Sequence, residues 1–237
     1  MYGYQSSQKH TFNRLLAALP PEVYTSLQPD LEIVSLEFKQ LLYESKEPIV
    51  YVYFPLDCLI SLFTVMANST AAEVTMVGSE GMLGLAVFLG NDTTPFRAIV
   101  QIPGEAMRMK TDTFKQAFNS FNLLSDCLKR YTYTLITQIA QSSACNSYHT
   151  VEQRCCRWLL TMHDNAKSDR FAVTQEFLSQ MLGVRRASVN EVAGRLQKAG
   201  LIRYYRGQMR ICDRPRLEAA SCECYSLVKS EFDRLFS

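Results

Sequence analysis

The sequence predicts an α+β protein: an N-terminal antiparallel β-roll (a cupin-like barrel), a long dimerisation helix and a C-terminal winged helix-turn-helix. Three observations support this fold class. Short strand-like segments follow one another over residues 30–110, a helical seam runs over residues 123–146, and two short helical patterns flank a glycine further on. We expect residues 1–110 to form the roll with a short N-terminal helix, 111–148 the helical connector and dimerisation helix, and 149–237 the winged helix-turn-helix domain with a closing helix.

Seven short segments carry the β-roll prediction. They have partly alternating apolar residues and are separated by Pro, Gly, Asn or Asp, as in antiparallel barrels. The segments are LEIVSLEF, LLYESKEP, IVYVYF, LISLFTVM, AAEVTMVG, FRAIVQI and EAMRM. Residues 10–28 precede them and show the apolar spacing of a short helical lead-in.

The long helix carries a seam of apolar and small residues at three- and four-residue steps. Its members are Leu124, Leu128, Tyr131, Leu135, Ile139 and Ser142. This spacing is typical of a coiled coil, which favours dimerisation through these residues. The alternative is a helix that packs on its own barrel. We favour the dimer because a lone helix between two domains has little else against which to bury a face.

A helix-turn-helix is predicted by the stretch VTQEFLSQMLGVRRASVNEVAGRLQKAGLI, residues 173–202. Thr174 suits the N-cap of the first helix, since its hydroxyl can accept from a free backbone amide. Gly183 marks the sharp turn, and a second helix fits residues 185–199. The outward side chains of that helix are basic and polar, as recognition in the major groove of DNA requires. The alternative is a helical hairpin that packs as ordinary core.

The segment RYYRGQMRIC, residues 203–212, predicts a β-hairpin immediately after the two helices. Arg206-Gly207-Gln208 supplies the turn, and Arg203 and Arg210 add further positive charge to the hairpin. A basic hairpin in this position is typical of the wing of a winged helix, which can lie along phosphates. A solvated edge that discourages aggregation is the alternative. Two adjacent basic elements favour DNA.

Charge is distributed unevenly along the 237 residues. Residues 151–216 contain 13 Lys/Arg against 6 Asp/Glu, a net +7, whereas residues 1–150 carry −3 and residues 217–237 carry −2. A polyanion is therefore expected to bind the C-terminal part. With 47% hydrophobic and 20% charged residues, the chain has the composition of a globular protein and not of a disordered one. The absence of a signal peptide or a long apolar run predicts a cytoplasmic protein without a membrane partner.

Three stretches of sequence resemble the Crp/Fnr family of bacterial transcription regulators. They are QMLGVRRASVNEVAGRLQKAGLI in the predicted DNA-binding helices, PGEAMRMKTDTFKQ after the roll, and VYFPLDCLISL together with MVGSEGMLGL in the roll. The last pair is similar to the branch whose sensory domain departs from the cyclic-nucleotide pattern. The resemblance covers about residues 30–212. It implies a homodimer that binds a palindromic operator in double-stranded DNA, with RNA polymerase and an unknown small-molecule effector as candidate partners.

The family's usual Glu and Arg for base contacts fall here at Ala187 and Glu191, so the family's usual half-site is not expected. We expect base contacts from Arg186, Asn190 and Glu191, because Arg suits guanine, Asn suits adenine and Glu can accept from cytosine. Glu191 could instead pair with Arg195 at i,i+4. Phosphate contacts are expected from Thr174, Gln175, Arg185, Ser188, Arg206 and Arg210.

Cyclic-AMP binding is not expected from the roll. The ribose-binding Glu of the family falls at Met82 or Leu83, and the phosphate-binding Arg-Ser pair falls near Phe96 and Arg97. Burying a cyclic phosphate without an Arg partner would be unfavourable. Arg97 is expected to lie on the surface or in a salt bridge. The effector stays unknown, and no cofactor is expected.

The eight cysteines are expected to be reduced thiols that fill space, without a metal. No cysteine precedes Cys58, which argues against the family's N-terminal iron–sulfur sensor. Cys155-Cys156 and Cys222-x-Cys224 could meet, with His163 nearby, but these spacings are not the usual C-x-x-C of metal ligands. His10 and His149 lie outside any ligand pattern.

No catalytic motif is present, so an enzyme is not expected. The alternatives to a DNA-binding regulator of this kind are a redox- or metal-responsive regulator that uses the C-terminal cysteines, and a small-molecule-binding protein with weak DNA specificity. Thiol alkylation would alter DNA binding in the first case. DNA sequence preference would be missing in the second.

Overall fold

The computed structural model of the protein describes residues 13–66, 71–166 and 168–237. His10 and the start of the predicted lead-in helix lie outside these residues. The described part of the lead-in forms α1 (Arg14–Ala17), α2 (Pro21–Leu27) and one 3-10 turn (Gln28–Asp30). Asn13 caps α1 by accepting from the Leu16 amide, and its own side-chain amide donates to the carbonyls of Pro55 and Gly81. One buried side chain thereby fixes α1 to the roll.

In the part of the chain that the structure describes, the predicted β-roll consists of two antiparallel sheets, one of three and one of four strands. The strands are β1 (Glu32–Leu36), β2 (Leu41–Tyr43), β3 (Tyr51–Pro55), β4 (Leu59–Val65), β5 (Ala71–Val77), β6 (Arg97–Ile102) and β7 (Gly104–Lys110). One sheet has the order β1-β7-β3 and the other β2-β6-β4-β5. A single helical turn, α3 (Leu85–Phe88), lies between β5 and β6. The alternating apolar residues of these segments face the interior between the sheets.

Two helices follow the roll, α4 (Thr111–Ser120) and α5 (Asn122–Tyr148). The aromatic ring of Phe114 packs edge-on against Phe54 of the roll and against Phe118. This contact fixes the chain direction as it leaves the last strand. The helix α5 then runs back along the roll, as its buried residues show.

The seam of α5 that the sequence assigns to dimerisation is buried in the protein's own core. Leu124, Leu128 and Tyr131 are at most 1% exposed, Leu135 is buried with them, and Ile139 packs against the same core. Ser142 is half-buried and lines a small cavity beside Trp158. The assignment to a dimer interface is therefore wrong for the buried residues. The alternative, a helix packed on its own barrel, describes them correctly, because α5 lies along the roll and does not stand apart from it.

The C-terminal part contains the predicted winged helix-turn-helix. Its elements are α6 (Val151–Ala166), β8 (Arg170–Ala172), α7 (Gln175–Leu182), α8 (Arg186–Lys198), β9 (Ile202–Tyr205), β10 (Gln208–Ile211), α9 (Arg214–Ala219) and α10 (Cys224–Leu235). The strands form one antiparallel sheet of order β8-β10-β9. The sequence did not predict β8, since three residues are too few to show an alternating pattern, nor did it separate α9 from the closing helix.

The roll and the C-terminal domain share a packed boundary. Leu59, Phe63 and Met76, on the outer face of the four-stranded sheet, belong to the same apolar core as Trp158 and Met181. In the opposite direction, α10 returns to the roll and buries its last apolar residues in the roll's core. Side-chain packing therefore fixes the position of the helix-turn-helix relative to the roll.

Within the described residues, none of the helices combines the length and the apolar character that a membrane crossing requires.

Candidate nucleic-acid interface

The first helix of the helix-turn-helix, α7, is fixed by its cap and its turn. The Thr174 hydroxyl oxygen accepts from the Phe177 amide at 3.1 Å, so it occupies the N-cap position expected from the sequence. Gly183 ends the helix with φ of +61°, a conformation that glycine adopts without strain. The buried residues of α7, among them Leu178, Met181 and Leu182, anchor the helix to the domain core.

The second helix, α8, presents its polar face to solvent at the N-terminal end. Val189, Val192, Ala193 and Leu196 are buried. Arg185 occupies the N-cap position, and Arg186 and Asn190 are exposed beyond it. The first backbone amides of a helix lack acceptors within it, and the positive helix end favours an anion nearby. The structure therefore brings these three predicted contact residues to one end of one helix.

A hydrogen bond joins two of the predicted contact residues. The Gln175 side-chain amide donates to Oδ1, the side-chain oxygen of Asn190. Asn190 keeps its own amide donors and a second lone pair on that oxygen. Gln175 can thus orient the side chain of Asn190, a relation that the sequence did not reveal.

Arg195 does not pair with Glu191, as one reading of the sequence allowed. It forms an ion pair with Glu152 of α6, at 2.6 Å between Nε and Oε2. Ser188 and Glu191 line a groove between α8 and the start of α6. Both residues therefore lie toward the flank of α8 that faces α6, while Arg186 lies beside the helix end.

A tight two-residue turn connects β9 and β10, the two strands of the wing. Arg206 and Gly207 both have positive φ, +46° and +77°, which is the conformation of a type I′ hairpin. The guanidinium of Arg206 lies over the ring of Tyr205, with 5.1 Å to the ring centroid. The predicted hairpin is present, and its turn centre lies at Arg206-Gly207.

A row of three arginines crosses the outer face of the wing sheet. Arg210 on the central strand pairs in register with Arg203 on one side and with Arg170 on the other. Residues directly opposite one another share a face, and all three are exposed. No acidic side chain forms a salt bridge with any of them among the described residues. Like charges in this arrangement repel unless an anion lies over them.

Arg170 was missed as a site residue, and Arg203 was recognised only as part of a basic hairpin. Arg170 lies on β8, and its position beside Arg210 depends on the pairing of β8 with β10, which local sequence patterns do not show. Only the total charge of residues 151–216 hinted at additional cations.

The cavity of the β-roll is apolar where a cyclic nucleotide would need charge. It has a volume of about 170 Å³, and Met82, Leu83 and Phe96 line it together with Leu135 of α5. No charged side chain of the described residues lines it. Arg97 forms a salt bridge with Glu44, at 2.6 Å between Nη2 and Oε2. A salt bridge was one of the two positions expected for this residue.

Residues 153–220 match the model of the Crp-like helix-turn-helix domain. No curated protein matches the chain. A structure described as a Crp/Fnr-family transcriptional regulator of Eubacterium rectale superposes with a TM-score of 0.70 at 12% identity, over 87% of this chain and 96% of that one. FixK2 of Bradyrhizobium japonicum gives 0.67 at 16% identity, over 81% and 98%. TTHB099, a CRP-family regulator of Thermus thermophilus, gives 0.66 at 16% identity, over 79% and 96%.

At these identities the solved structures establish the fold, and the domain match establishes the kind of DNA-binding unit. Residues 153–220 therefore match a Crp-like helix-turn-helix domain, and the chain as a whole has the fold of these Crp/Fnr-family structures.

Proposed function

We propose that the protein is a homodimer that binds a palindromic DNA operator, with α8 in the major groove and the wing along the phosphate backbone. The arginine row of the wing, formed by Arg170, Arg203 and Arg210, carries this proposal. Three exposed cations in register are stabilised by a polyanion and destabilised without one. A regulator of this kind binds DNA and is not an enzyme.

The proposed roles follow the positions of the side chains. Arg186 and Asn190 contact bases, since both are exposed on the first turns of α8, and Glu191 contacts a base only if the DNA approaches the flank beside α6. The proposed phosphate contacts are Thr174, Gln175, Arg185, Ser188, Arg206 and Arg210, with Arg170 and Arg203 added from the wing sheet.

The proposed dimer uses the outer face of α5 and not the buried seam. Tyr133 and Ile136 are each 60% exposed, and Leu123 and Ala140 are exposed on the same helix. Tyr133, Ile136 and Ala140 follow steps of three and four residues, as a helix–helix interface requires. A dimer through this face presents two copies of α8 to two half-sites.

The proposed effector of the roll, where one acts, is uncharged and mainly apolar. The cavity offers no cation for a phosphate, and its volume is smaller than the roughly 300–1,000 Å³ of typical ligand pockets. Millimolar cyclic AMP should therefore leave the melting temperature unchanged, whereas a ligand that binds the folded state raises it.

Selection of DNA fragments from a random pool by the purified protein tests the main proposal. A two-fold-symmetric motif, with half-sites about one helical turn apart, is the expected result. Motif-free binding that weakens steeply with salt, with and without cell extract to supply an effector, would contradict it and would favour the alternative of weak DNA specificity.

A further inference from the structure

Four side chains that the sequence keeps apart meet at the end of the long helix. Cys145 lies near the C-terminal end of α5 and His149 directly follows that helix, while Cys222 and Cys224 lie at the start of α10. One potential ligand atom from each residue, three sulfurs and one imidazole nitrogen, lies within 4.8 Å of all the others. The sequence favoured space filling for the cysteines, and the metal or redox grouping that it allowed combined Cys222 and Cys224 with Cys155, Cys156 and His163.

The distances within this cluster are those of a four-coordinate metal site. The sulfurs of Cys145 and Cys222 are 3.5 Å apart, and the Cys224 sulfur is 3.5 Å from Nδ1 of His149. Around a tetrahedral zinc ion, ligand bonds of about 2.3 Å to sulfur and about 2.0 Å to nitrogen place sulfurs about 3.8 Å apart and sulfur and nitrogen about 3.5 Å apart. Small shifts of the side chains would bring all four atoms onto one ion.

The three cysteines of this group lie apart from the large apolar cores of the protein. Cys145, Cys222 and Cys224 form a buried cluster of their own that contains no other residue type. Cys155 and Cys156, by contrast, are embedded among leucine, methionine and tryptophan in the core of the C-terminal domain. The first group is thus separate from the two large apolar cores, and its sulfurs lie next to one another, an arrangement that space filling alone does not require.

The surroundings of the cluster resemble the outer shell of a metal site. Nε2 of His149 lies 3.2 Å from a carboxylate oxygen of Glu223, so the carboxylate can orient the imidazole with Nδ1 toward the sulfurs. The side-chain amide of Gln141 donates to the Cys224 sulfur at 3.0 Å. The guanidinium groups of Arg154 and Arg157 lie near enough to Cys145 to interact with its charge. They would offset the net negative charge of three thiolates around a divalent ion.

We propose that Cys145, His149, Cys222 and Cys224 form a tetrahedral binding site for one Zn²⁺ ion, which fixes the end of α5 to the start of α10. Three thiolates and one imidazole form a ligand set that zinc favours. Ligand atoms this close together suit a single ion better than an iron–sulfur cluster, which spreads its cysteines over several irons. Binding releases the thiol protons to solvent as the ion enters.

Access and location are consistent with this site. Cys224 and Tyr225 line a cavity of about 310 Å³ between the roll, α5 and α10, through which an ion can reach the sulfurs. The site lies at the break between α5 and α6, because α6 begins immediately beyond His149 and Thr150. A bound ion would therefore fix the point at which the DNA-binding domain joins the long helix.

Metal analysis of the full-length protein, prepared without a histidine tag and under reducing conditions, tests the proposal. We expect about one zinc per chain. Reconstitution with Co²⁺ should give the intense visible bands of tetrahedral cobalt and a thiolate-to-cobalt charge-transfer band in the near ultraviolet. Cys145→Ala and Cys222→Ala should each reduce bound metal to less than about a tenth of an ion per chain. Cys156→Ala, which removes an equally buried thiol elsewhere, should keep full occupancy.

A second variant tests the site without removing a ligand, so that loss of metal cannot be attributed to loss of folding. Glu223→Gln changes an exposed side chain and should weaken zinc affinity about 10-fold, at the lower end of the range for an outer-shell partner. Absence of the charge-transfer band in the wild type, a Cys145–Cys222 disulfide in protein prepared without air, or equal metal loss in Cys156→Ala would overturn the proposal. These readouts do not involve DNA, so they stand apart from the outcome of the operator selection.

Discussion

Arg186 and Arg210 are both exposed arginines of the DNA-binding domain, but they should affect binding in different ways. Arg186→Ala should relax sequence preference at one base pair of each half-site, at a cost of about 1–3 kcal/mol, because a bidentate base contact is lost. Arg210→Ala should weaken binding to all sequences alike and reduce the salt dependence by about one counterion, because it removes a phosphate contact. Titrations with operator and scrambled DNA at several salt concentrations distinguish the two effects.

Arg216→Ala is the matched control for these two variants. Arg216 is an exposed arginine of the same domain that interacts with Asp213 on α9, outside the proposed interface. The Arg216→Ala substitution changes the net charge by the same amount, so it shows how much affinity is lost through the overall charge alone. Loss of affinity in this control equal to that in Arg210→Ala would show that the wing has no special role.

Gly81 and Tyr131 give a second prediction that concerns single residues. A methyl group at Gly81 would overlap the Tyr131 hydroxyl group, which donates to the Met82 carbonyl at 3.2 Å. Gly81→Ala should therefore lower the free energy of unfolding by about 1–3 kcal/mol, because Tyr131 must move. Tyr131→Phe alone should lower it by about 1 kcal/mol.

The double variant shows whether the two residues are coupled. Removing the hydroxyl relieves part of the clash, so the loss in the double variant should be smaller than the sum of the single losses. Urea denaturation of the four proteins gives these values. Additive losses would show that the loop at Gly81 does not press on α5.

At the scale of elements, α5 has two faces with different roles, and variants should separate them. Ile136→Glu places a charge on the exposed face and should convert the dimer to a monomer with unchanged helix content. Leu128→Ala creates a cavity in the buried seam and should lower the free energy of unfolding by roughly 2–5 kcal/mol while the folded protein stays dimeric. Sedimentation equilibrium and denaturation measure both quantities.

The opposite pattern would restore the assignment made from the sequence. A monomeric Leu128→Ala that keeps its stability, together with a dimeric Ile136→Glu, would place the dimer interface on the seam. Both substitutions lie on α5, so a difference between the two variants reflects the face that each one alters and not a general effect on the helix.

For the molecule as a whole, we expect the boundary between the two domains to be sensitive to pH through Glu73. Its carboxylate accepts from Ser61 at 2.7 Å and from the Trp158 indole at 3.2 Å, which joins the roll to α6. Burial raises the pKa of Glu73 to about 7, although these hydrogen bonds and Arg157 oppose the shift. The folded protein therefore binds this proton more tightly than the unfolded chain, in which the pKa is near 4.5.

The stability that this group contributes is fully present below about pH 4.5 and is lost as the pH rises through about 7. Between about pH 5 and about pH 8, the melting temperature of the wild type should fall more than that of Glu73→Gln, in which the group cannot ionise. Calorimetry of both proteins over this range measures the difference, in which the other titrating groups cancel. Parallel pH profiles would show that the boundary does not depend on this proton.

The sequence alone determined the parts of the molecule. Seven strands, the long helix, the two helices around Gly183 and the Arg206-Gly207 hairpin are all visible as local patterns, since periodicity and turn residues act over a few positions. The concentration of positive charge in residues 151–216 also identified the DNA-binding end, because total charge does not depend on how the chain folds.

Only the tertiary structure decided what each part contacts. A seam at helical spacing shows that one face of α5 is buried, but whether against a partner or against the roll depends on where the helix lies. The arginine row needs the pairing of β8 with β10, and the Cys145–Cys222 contact joins positions 77 residues apart. Such contacts arise from packing between distant segments, on which local spacing carries no information.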